Sequence, residues 1–157
     1  MRRDGKVAIV TGVSSGIGQA SAKALHQAGF RVFGTSRRAV AGTLDGITMV
    51  TCDVTDDASV TAAVDKVLDM AGRIDVLVNN AGTGLLAGAE ESSMNQAQAL
   101  FDVNLFGVIR TTNAVLPIMR QQKAGRIINI SSVLGLIPAP FSALYSSTKH
   151  RRLFGIP

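Results

Sequence analysis

The chain has 157 residues, of which 46% are hydrophobic and 17% are charged. This composition excludes a disordered chain and a coiled coil, and no apolar run approaches the ~18 residues of a membrane span, so we expect one domain and no membrane partner. The net charge of +5 comes largely from three separate arginine pairs with no basic stripe between them, which argues against a nucleic-acid partner.

Short β-rich segments alternate with longer helical ones along the chain, which is typical of βαβ units. The predicted strands are Val7–Thr11, Phe30–Ser36, Ile47–Thr51, Val76–Val78 and Ile127–Ile130. The predicted helices are Ile17–Ala28, Asp56–Ala71, Ser93–Phe101, Val103–Gln122 and a last one around Tyr145. The pattern predicts an α/β fold, a doubly wound parallel sheet of about five strands with helices on both faces.

A glycine-rich turn, TGVSSGIG, joins the first predicted strand to the first helix. Glycine permits a tight turn there and lets backbone N–H groups approach a pyrophosphate at the helix N-terminus. The spacing is TGxxxGxG rather than the GxGxxG of most dinucleotide folds, and a purely structural turn is the alternative. In this strand–turn–helix context we predict a dinucleotide site formed by Gly12, Ser14, Ser15, Gly16, Ile17 and Gly18.

Arg37 and Arg38 stand where a NAD-binding fold usually offers an acid to the ribose. A carboxylate repels a 2′-phosphate, whereas guanidinium groups pair with it in fork geometry. We therefore predict NADP rather than NAD as the cofactor. Two solvated arginines after a strand are the structural alternative.

Six motifs occur along the chain in a characteristic order. They are Thr11 to Gly18, Asp53-Val54, Asn79-Asn80-Ala81-Gly82, Asn104, Ile130-Ser131-Ser132 and Tyr145-xxx-Lys149. Over residues 5 to about 149, the set resembles the short-chain dehydrogenase/reductase family, with its Rossmann-like fold. The resemblance implies that Asp53 binds the adenine amino group, that Val54 flanks the ring, and that Asn80, Ala81 and Gly82 line the adenosine ribose side. A turn that ends a strand is the plainer reading of the paired asparagines.

The resemblance also implies an oxidoreductase that interconverts an alcohol and a carbonyl by hydride transfer. Such a reaction needs a proton donor at the carbonyl oxygen, and Tyr145, the sole tyrosine, is the candidate. Lys149 lies one helical turn away, where its charge favours the phenolate and its amine reaches the nicotinamide ribose. Both residues therefore count as catalytic and as cofactor-binding.

Ser132 is predicted to hydrogen-bond the substrate oxygen, because Ser131 would point to the other face if the strand continues. Asn104 resembles the family's fourth catalytic member, which holds a helix irregularity and a water that relays protons to the lysine. The structural alternatives are a loop cap for Ser132 and a helix N-cap for Asn104. No cluster of Cys, His and acids has ligand spacing, so no metal site is predicted.

The resemblance ends after Lys149. Members of the family that the chain resembles have about 250 residues and add two more strands after this point. We expect residues 1–149 to form an incomplete dinucleotide-binding domain and residues 150–157 an aberrant tail. A reading frame shifted by one base can turn the end of this tail into a plausible helix continuation, so a frameshift near codon 150 is our hypothesis. Loss of the last two family strands would leave the fifth predicted strand as an exposed apolar edge of the sheet. We therefore expect weak turnover or none.

The second functional hypothesis is accordingly a catalytically inactive, truncated dinucleotide-binding remnant. Cys52, the only cysteine, is predicted to be a small core residue, and its solitude fits a reducing cytoplasm. The partner expected is a small-molecule alcohol or carbonyl compound. The resemblance implies a homo-oligomer for full-length members, an expectation that we do not extend to this chain.

Overall fold

The first strand, Val7–Thr11, lies at the centre of the molecule, and all five of its side chains are buried. Alternate residues enter two hydrophobic cores, with Val7 and Ile9 on one face of the sheet and Ala8 and Val10 on the other. A strand that is apolar on both faces belongs in the middle of a sheet that is covered by helices on both sides. The computed structural model describes residues 5–38, 42–88 and 90–150, so residues 151–157 of the predicted tail lie outside its description.

The described sheet has the order β3-β4-β2-β1-β5-β6. The strands are β1 (Val7–Thr11), β2 (Arg31–Ser36), β3 (Thr43–Leu44), β4 (Ile47–Thr51), β5 (Val76–Asn79) and β6 (Arg126–Asn129). All pairings are parallel except that of β3 with β4. The predicted doubly wound α/β fold is confirmed.

One strand, β3, was not predicted. It pairs with β4 through a hairpin whose two turn residues, Asp45 and Gly46, both have positive φ angles of 51° and 79°. An Asp-Gly dipeptide is the usual signal of such a turn. The two-residue strand before it is too short to show periodicity, which explains the omission.

The described helices are α1 (Gly16–Gln27), α2 (Asp57–Ala71), α3 (Met94–Phe101), α4 (Gly107–Gln122) and α5 (Ala143–Lys149). Asp56 caps α2 by accepting hydrogen bonds from the N–H groups of Ala58 and Ser59, and Gly72 ends that helix at φ 71°. The predicted break between α3 and α4 is a π-helical segment, Asp102–Phe106, rather than two separate helix ends. None of the helices in the described ranges is long and apolar enough to cross a membrane.

β6 lies at one edge of the described sheet, and its residues alternate between exposed and half-buried. Ile128 is 39% exposed. Among the described residues, β6 therefore has the edge position that was expected for the last predicted strand.

Candidate active site

A cleft of about 1080 Å³ opens at the carboxyl ends of the central strands. Eleven of the predicted cofactor residues line it, namely Gly12, Ser14, Ser15, Ile17, Arg37, Arg38, Asp53, Val54, Asn80, Ala81 and Gly82. Ligands of open α/β sheets bind at this end of the strands, where the strand order reverses. β1 is that reversal point, since β2 and β5 flank it.

The glycine turn is shaped by contact with the loop after β5. A Cβ atom at Gly12 would lie 2.8 Å from Ala81 Cα, and one at Gly18 would overlap Asn80 Nδ2 and the Gly12 carbonyl oxygen. Gly16 has open space around it but a φ of 59°, which glycine adopts without cost. Gly16 and Gly18 do not line the cleft, so they contribute to it by permitting the conformation of the glycine turn.

The Thr11 hydroxyl ties the glycine turn to the asparagine turn, a role that the sequence did not indicate. It accepts hydrogen bonds from the backbone N–H groups of Asn80 (3.0 Å) and Ala81 (2.9 Å). In return, Asn80 Nδ2 donates to the carbonyl oxygens of Thr11 and Gly12, both at 3.0 Å. The two cofactor turns therefore form one rigid unit.

Arg37 and Arg38 directly follow β2 as exposed residues on the wall of the cleft. Asp53, on the next strand end, accepts hydrogen bonds from Thr55 N (3.0 Å) and Thr55 Oγ1 (2.7 Å). These bonds, helped by the positive charges of Arg37 and Arg110, hold the pKa of Asp53 below its ordinary value. Asp53 is therefore a carboxylate at neutral pH.

Cys52 is buried between β4 and the cleft, as the sequence predicted. Burial, followed by the negative charges of Asp53 and Asp56, raises the pKa of its thiol to about 11. The thiol is protonated at neutral pH and is a core group rather than a nucleophile.

None of the four predicted catalytic residues lines the cleft itself, but the amine of Lys149 lies next to it. Lys149 Nζ donates to the Ile130 carbonyl oxygen at 3.3 Å and lies 5.9 Å from the centre of the Tyr145 ring. A Cβ atom built on Gly82, which lines the cleft, would lie 3.5 Å from this amine. Burial lowers the pKa of Lys149. The structure thus brings the predicted Tyr145–Lys149 pair together and places its amine beside the predicted cofactor turn.

Asn104 joins the cleft to the helix that carries Tyr145. Its Oδ1 accepts from Thr83 N and its Nδ2 donates to Thr83 O, both at 2.9 Å. The same Nδ2 also donates to Thr148 Oγ1 at 3.1 Å, and that hydroxyl donates to the Tyr145 carbonyl oxygen at 2.7 Å. Asn104 sits within the π-helical segment, so the N-cap alternative is wrong.

The two serines after β6 have different partners. Ser132 Oγ accepts from Leu134 N at 3.2 Å and so caps a 3₁₀ turn, Val133–Gly135, while its hydroxyl hydrogen stays available for another acceptor. Ser131 Oγ donates to the Lys149 carbonyl oxygen at 2.9 Å. The loop cap exists, and it is compatible with the predicted substrate contact of Ser132.

Two polar networks that support the site were not predicted. Arg110 on α4 donates to Asp57 Oδ1 (2.6 Å) and to Asp102 Oδ1 (2.7 Å), which fixes the π-helical segment against α2. Asn79 donates to Asn129 Oδ1 (2.9 Å) and accepts from Thr111 Oγ1 (2.7 Å). These residues recur at no fixed sequence spacing, so only the folded chain reveals them.

Comparison with known proteins agrees with this arrangement. The family model described as short chain dehydrogenase matches residues 6–151. The chain belongs to the short-chain dehydrogenase family. A curated relative, 3-ketodihydrosphingosine reductase from Bacteroides thetaiotaomicron, is 38% identical over 92% of this chain and 53% of its own length.

Two solved short-chain dehydrogenases superpose closely on the chain. A family member from Burkholderia phymatum in complex with NAD has a TM-score of 0.87 and 34% identity, over 95% of this chain and 57% of its own. Gluconate 5-dehydrogenase from Burkholderia cenocepacia, in complex with NADP and tartrate, has a TM-score of 0.88 and 34% identity, over 94% and 62%. The chain spans about half the length of the curated relative and somewhat more of these two structures.

No group of three or more His, Cys, Asp or Glu side chains could hold a metal ion within residues 5–38, 42–88 and 90–150 of this short-chain dehydrogenase. The groups that line or adjoin the cleft are instead hydroxyls, amides, the guanidinium groups of Arg37 and Arg38, the carboxylate of Asp53, one amine and backbone N–H groups. Such a set suits a nicotinamide dinucleotide and proton transfer.

Proposed function

We propose that the chain is an NADP-preferring oxidoreductase that interconverts an alcohol and a carbonyl by hydride transfer. The observation that carries this proposal is the position of Lys149 Nζ. It lies beside Gly82, which lines the cleft, and 5.9 Å from the centre of the Tyr145 ring. One amine can therefore contact both a bound cofactor and the predicted proton donor.

The cleft fits a dinucleotide in both its shape and its donors. Side chains at Gly12 and Gly18 would close the turn, so the backbone there can approach a pyrophosphate. Asp53 and Val54 would hold the adenine, and Asn80, Ala81 and Gly82 would line the ribose side. When bound, the nicotinamide supplies or accepts the hydride.

The chain's own residues handle the proton. Tyr145 Oη would donate it to the carbonyl oxygen in reduction and accept it from the alcohol in oxidation. The Lys149 ammonium would stabilise the phenolate left behind, while the Ser132 hydroxyl donates a hydrogen bond to the same substrate oxygen. Asn104 would hold the π-helical segment and a water that supplies Lys149 with protons.

The preference for NADP rests on Arg37 and Arg38. Both are exposed on the cleft wall, where either guanidinium can pair with a 2′-phosphate. Because the related structures hold NAD in one case and NADP in another, the choice depends on this chain's own residues. The lone buried Cys52 supports a reducing, cytoplasmic location as part of the same proposal.

A single-turnover experiment tests the function. With the protein in excess over NADPH, loss of nicotinamide absorbance is followed after a ketone is added, so that even a slow reaction is measurable. Tyr145→Phe removes only the hydroxyl, and we expect it to slow the reaction about a hundredfold or more. NADPH affinity, from fluorescence titration, should change far less than the rate.

Two results would contradict the proposal. An equal rate for wild type and Tyr145→Phe would remove Tyr145 from the chemistry. Tight NADPH binding without any oxidation, across ketones and aldehydes of varied size, would favour the alternative of an inactive dinucleotide-binding remnant.

A further inference from the structure

Exposed apolar side chains are concentrated on the two loops next to Tyr145. Leu86 lies on the loop after β5, and Leu136, Ile137 and Phe141 lie on the loop between β6 and α5. Each of the four is between 60% and 74% exposed. We call them the apolar rim. A surface concentration of this kind usually marks a binding site.

Hydrogen bonds hold the apolar rim in place. Ala87 N donates to the Phe141 carbonyl oxygen at 2.9 Å, which joins the two loops beside Leu86. The N–H groups of Leu136 and Ile137 both donate to the Val133 carbonyl oxygen at 2.9 Å. The exposed side chains therefore project from an ordered backbone.

Phe141 has a φ of 59°, a region that is unfavourable for a bulky residue. The hydrogen bond from Ala87 N to its carbonyl oxygen fixes this conformation, yet its ring is 68% exposed and adds nothing to the core. Strained residues persist mainly at functional sites. The strain at Phe141 therefore points to a role for its ring outside the fold.

The two loop segments that carry the apolar rim contain no charged side chain, and the charges that lie beside them at Gly88 are the negative carboxylates of Glu90 and Glu91. Residues 79–88 and 127–148 contain no Asp, Glu, Lys or Arg. A carboxylate or phosphate on a substrate would find no cation there other than Lys149, which the proposed chemistry already uses. An apolar substrate loses nothing by leaving water for such a surface.

The apolar rim is also continuous with the proposed chemistry. Val133 follows Ser132 directly, and α5, which bears Tyr145, begins two residues after Phe141. A Cβ atom at Gly135 would overlap the Lys149 carbonyl oxygen, so this loop packs directly on the end of α5. A carbonyl group at Tyr145 would have its substituents close to the apolar rim.

We propose that the substrate is an uncharged ketone or aldehyde with an alkyl chain, and that Phe141 determines this specificity by packing on the chain. The inference rests on the proposed function. In reduction, the carbonyl carbon gains a hydride from NADPH and its oxygen gains the proton of Tyr145. The C=O π bond breaks, C–H and O–H bonds form, and NADPH is oxidised to NADP⁺.

The first measurement compares methyl ketones from butanone to dodecanone with a ketose and with a keto acid. We expect kcat/KM to rise two- to fourfold per added methylene until the chain outgrows the apolar rim, since each buried methylene contributes about that factor. The ketose and the keto acid should react more slowly than octanone. Phe141→Gly keeps the positive φ without strain and should flatten this dependence on length.

The matched control is Leu44→Asn, because Leu44 is 48% exposed on β3, at the sheet edge opposite β6. It should leave the length dependence unchanged. Saturation-transfer NMR of dodecanone with the protein and NADP⁺ adds a readout that needs no turnover. Transfer to the alkyl protons should be strong for wild type and Leu44→Asn, and several-fold weaker for Phe141→Gly.

The outcomes separate this inference from the proposed function. Saturation transfer that depends on Phe141, without oxidation of NADPH by any ketone, would support the alkyl site and reject the activity. Turnover that is independent of chain length, or fastest with the ketose or keto acid, would reject the alkyl site and keep the activity. A wild-type dimer that Phe141→Gly dissociates and dodecanone does not would show that a second copy covers the apolar rim, and would overturn the inference.

Discussion

Arg37 and Arg38 illustrate how single exposed side chains set the choice of cofactor. Substituting Arg37 by Ala should raise the Kd for NADPH about tenfold or more, because a charge-assisted hydrogen bond contributes about 1.5–3 kcal/mol. The Kd for NADH should stay within about twofold, since NADH lacks the 2′-phosphate. Fluorescence titration of both cofactors measures the two constants.

Arg120→Ala is the matched control, because Arg120 is also exposed but lies in the last turn of α4, away from the cleft. It should leave both constants unchanged. If Arg37→Ala weakened NADH and NADPH equally, the arginine would be binding something that the two cofactors share, and NADP preference would need another source.

Thr148 is a buried residue whose role depends on its hydroxyl. It accepts from Asn104 Nδ2 and donates to the Tyr145 carbonyl oxygen, so it positions the turn of α5 that holds the proton donor. Thr148→Val should lower the free energy of unfolding by about 1–3 kcal/mol, since it leaves a buried donor unsatisfied. The single-turnover rate should fall as well, with NADPH affinity nearly unchanged; urea unfolding and the rate assay check both effects.

Thr148→Ser keeps the hydroxyl and loses only a methyl group, so it should restore most of the rate even if stability stays low. A Ser variant as slow as the Val variant would mean that packing, rather than the hydrogen bonds, positions Tyr145.

Sequence patterns predicted the residues that face the cleft better than those that hold them in position. Gly12, Asp53 and Asn80 belong to motifs with fixed spacing. Thr11, Thr83 and Arg110 act through contacts between segments that are 21 to 70 residues apart in the chain. No local periodicity encodes such contacts, because each depends on how the strands and helices pack.

At the scale of elements, the junction of β1 and α1 depends on two glycines for two different reasons. Gly18 has an ordinary helical φ but no space, and Gly16 has space but a φ of 59°. Gly16→Ala should cost about 1–2 kcal/mol of unfolding free energy through backbone strain alone. Gly18→Ala should cost more, because its methyl group would displace the Asn80 side chain and the Gly12 backbone from their hydrogen bonds.

Thermal and urea unfolding of the two variants provide the comparison. In Gly18→Ala, the Asn80 side chain should also lose its hydrogen bonds to the glycine turn. The affinity for NADPH should therefore fall. An equal, small cost at both positions would show that α1 can shift away from the asparagine turn.

The elements that sequence reasoning located best are the long periodic ones. α2 and α4 were placed within a few residues, and β1 was placed at its observed bounds, because apolar spacing and helix caps mark them. β3 has only two residues and shows no period. A π-helical segment adds one residue to a helical turn. The pattern of apolar residues does not distinguish such a segment from a break between two helices.

At the scale of the whole molecule, Asp75 links neighbouring strands at the amino ends of the parallel strands of the sheet. Its Oδ2 accepts from Val7 N at 2.8 Å, its backbone oxygen accepts from Arg126 N at 2.9 Å, and Arg73 binds both carboxylate oxygens. Burial raises the pKa of Asp75, but the hydrogen bonds from Arg73 and Val7 outweigh it and lower that pKa below its ordinary value. The carboxylate of Asp75 therefore joins the starts of β1 and β5, and its backbone oxygen adds the start of β6.

A carboxyl group whose pKa is lower in the folded state stabilises that state above its unfolded pKa of about 3.9, and the stabilisation is lost as the pH falls through the folded value. Asp75→Asn should therefore cost about 1.5–3 kcal/mol of unfolding free energy at pH 7. The difference between wild type and variant should shrink as the pH falls below about 4. Urea unfolding across that pH range measures it.

Asp69→Asn, at an exposed position on α2, serves as the control and should have little effect at any pH. A difference between wild type and Asp75→Asn that stays constant down to pH 2 would show that the carboxylate charge is not what stabilises the sheet.

The buried thiol of Cys52 can also serve as a probe of local unfolding. Thiolates react with alkylating agents, and a buried thiol with a pKa of about 11 is almost never a thiolate at neutral pH. Alkylation of Cys52 should therefore depend on an opening of the end of β4 that exposes the thiol, and the rate at which molecules gain one alkyl mass should follow that opening. Because Cys52 lines the cleft, any ligand that favours the closed state should lower that rate. Occupancy of the cleft can then be followed by mass spectrometry alone, before any substrate has been found.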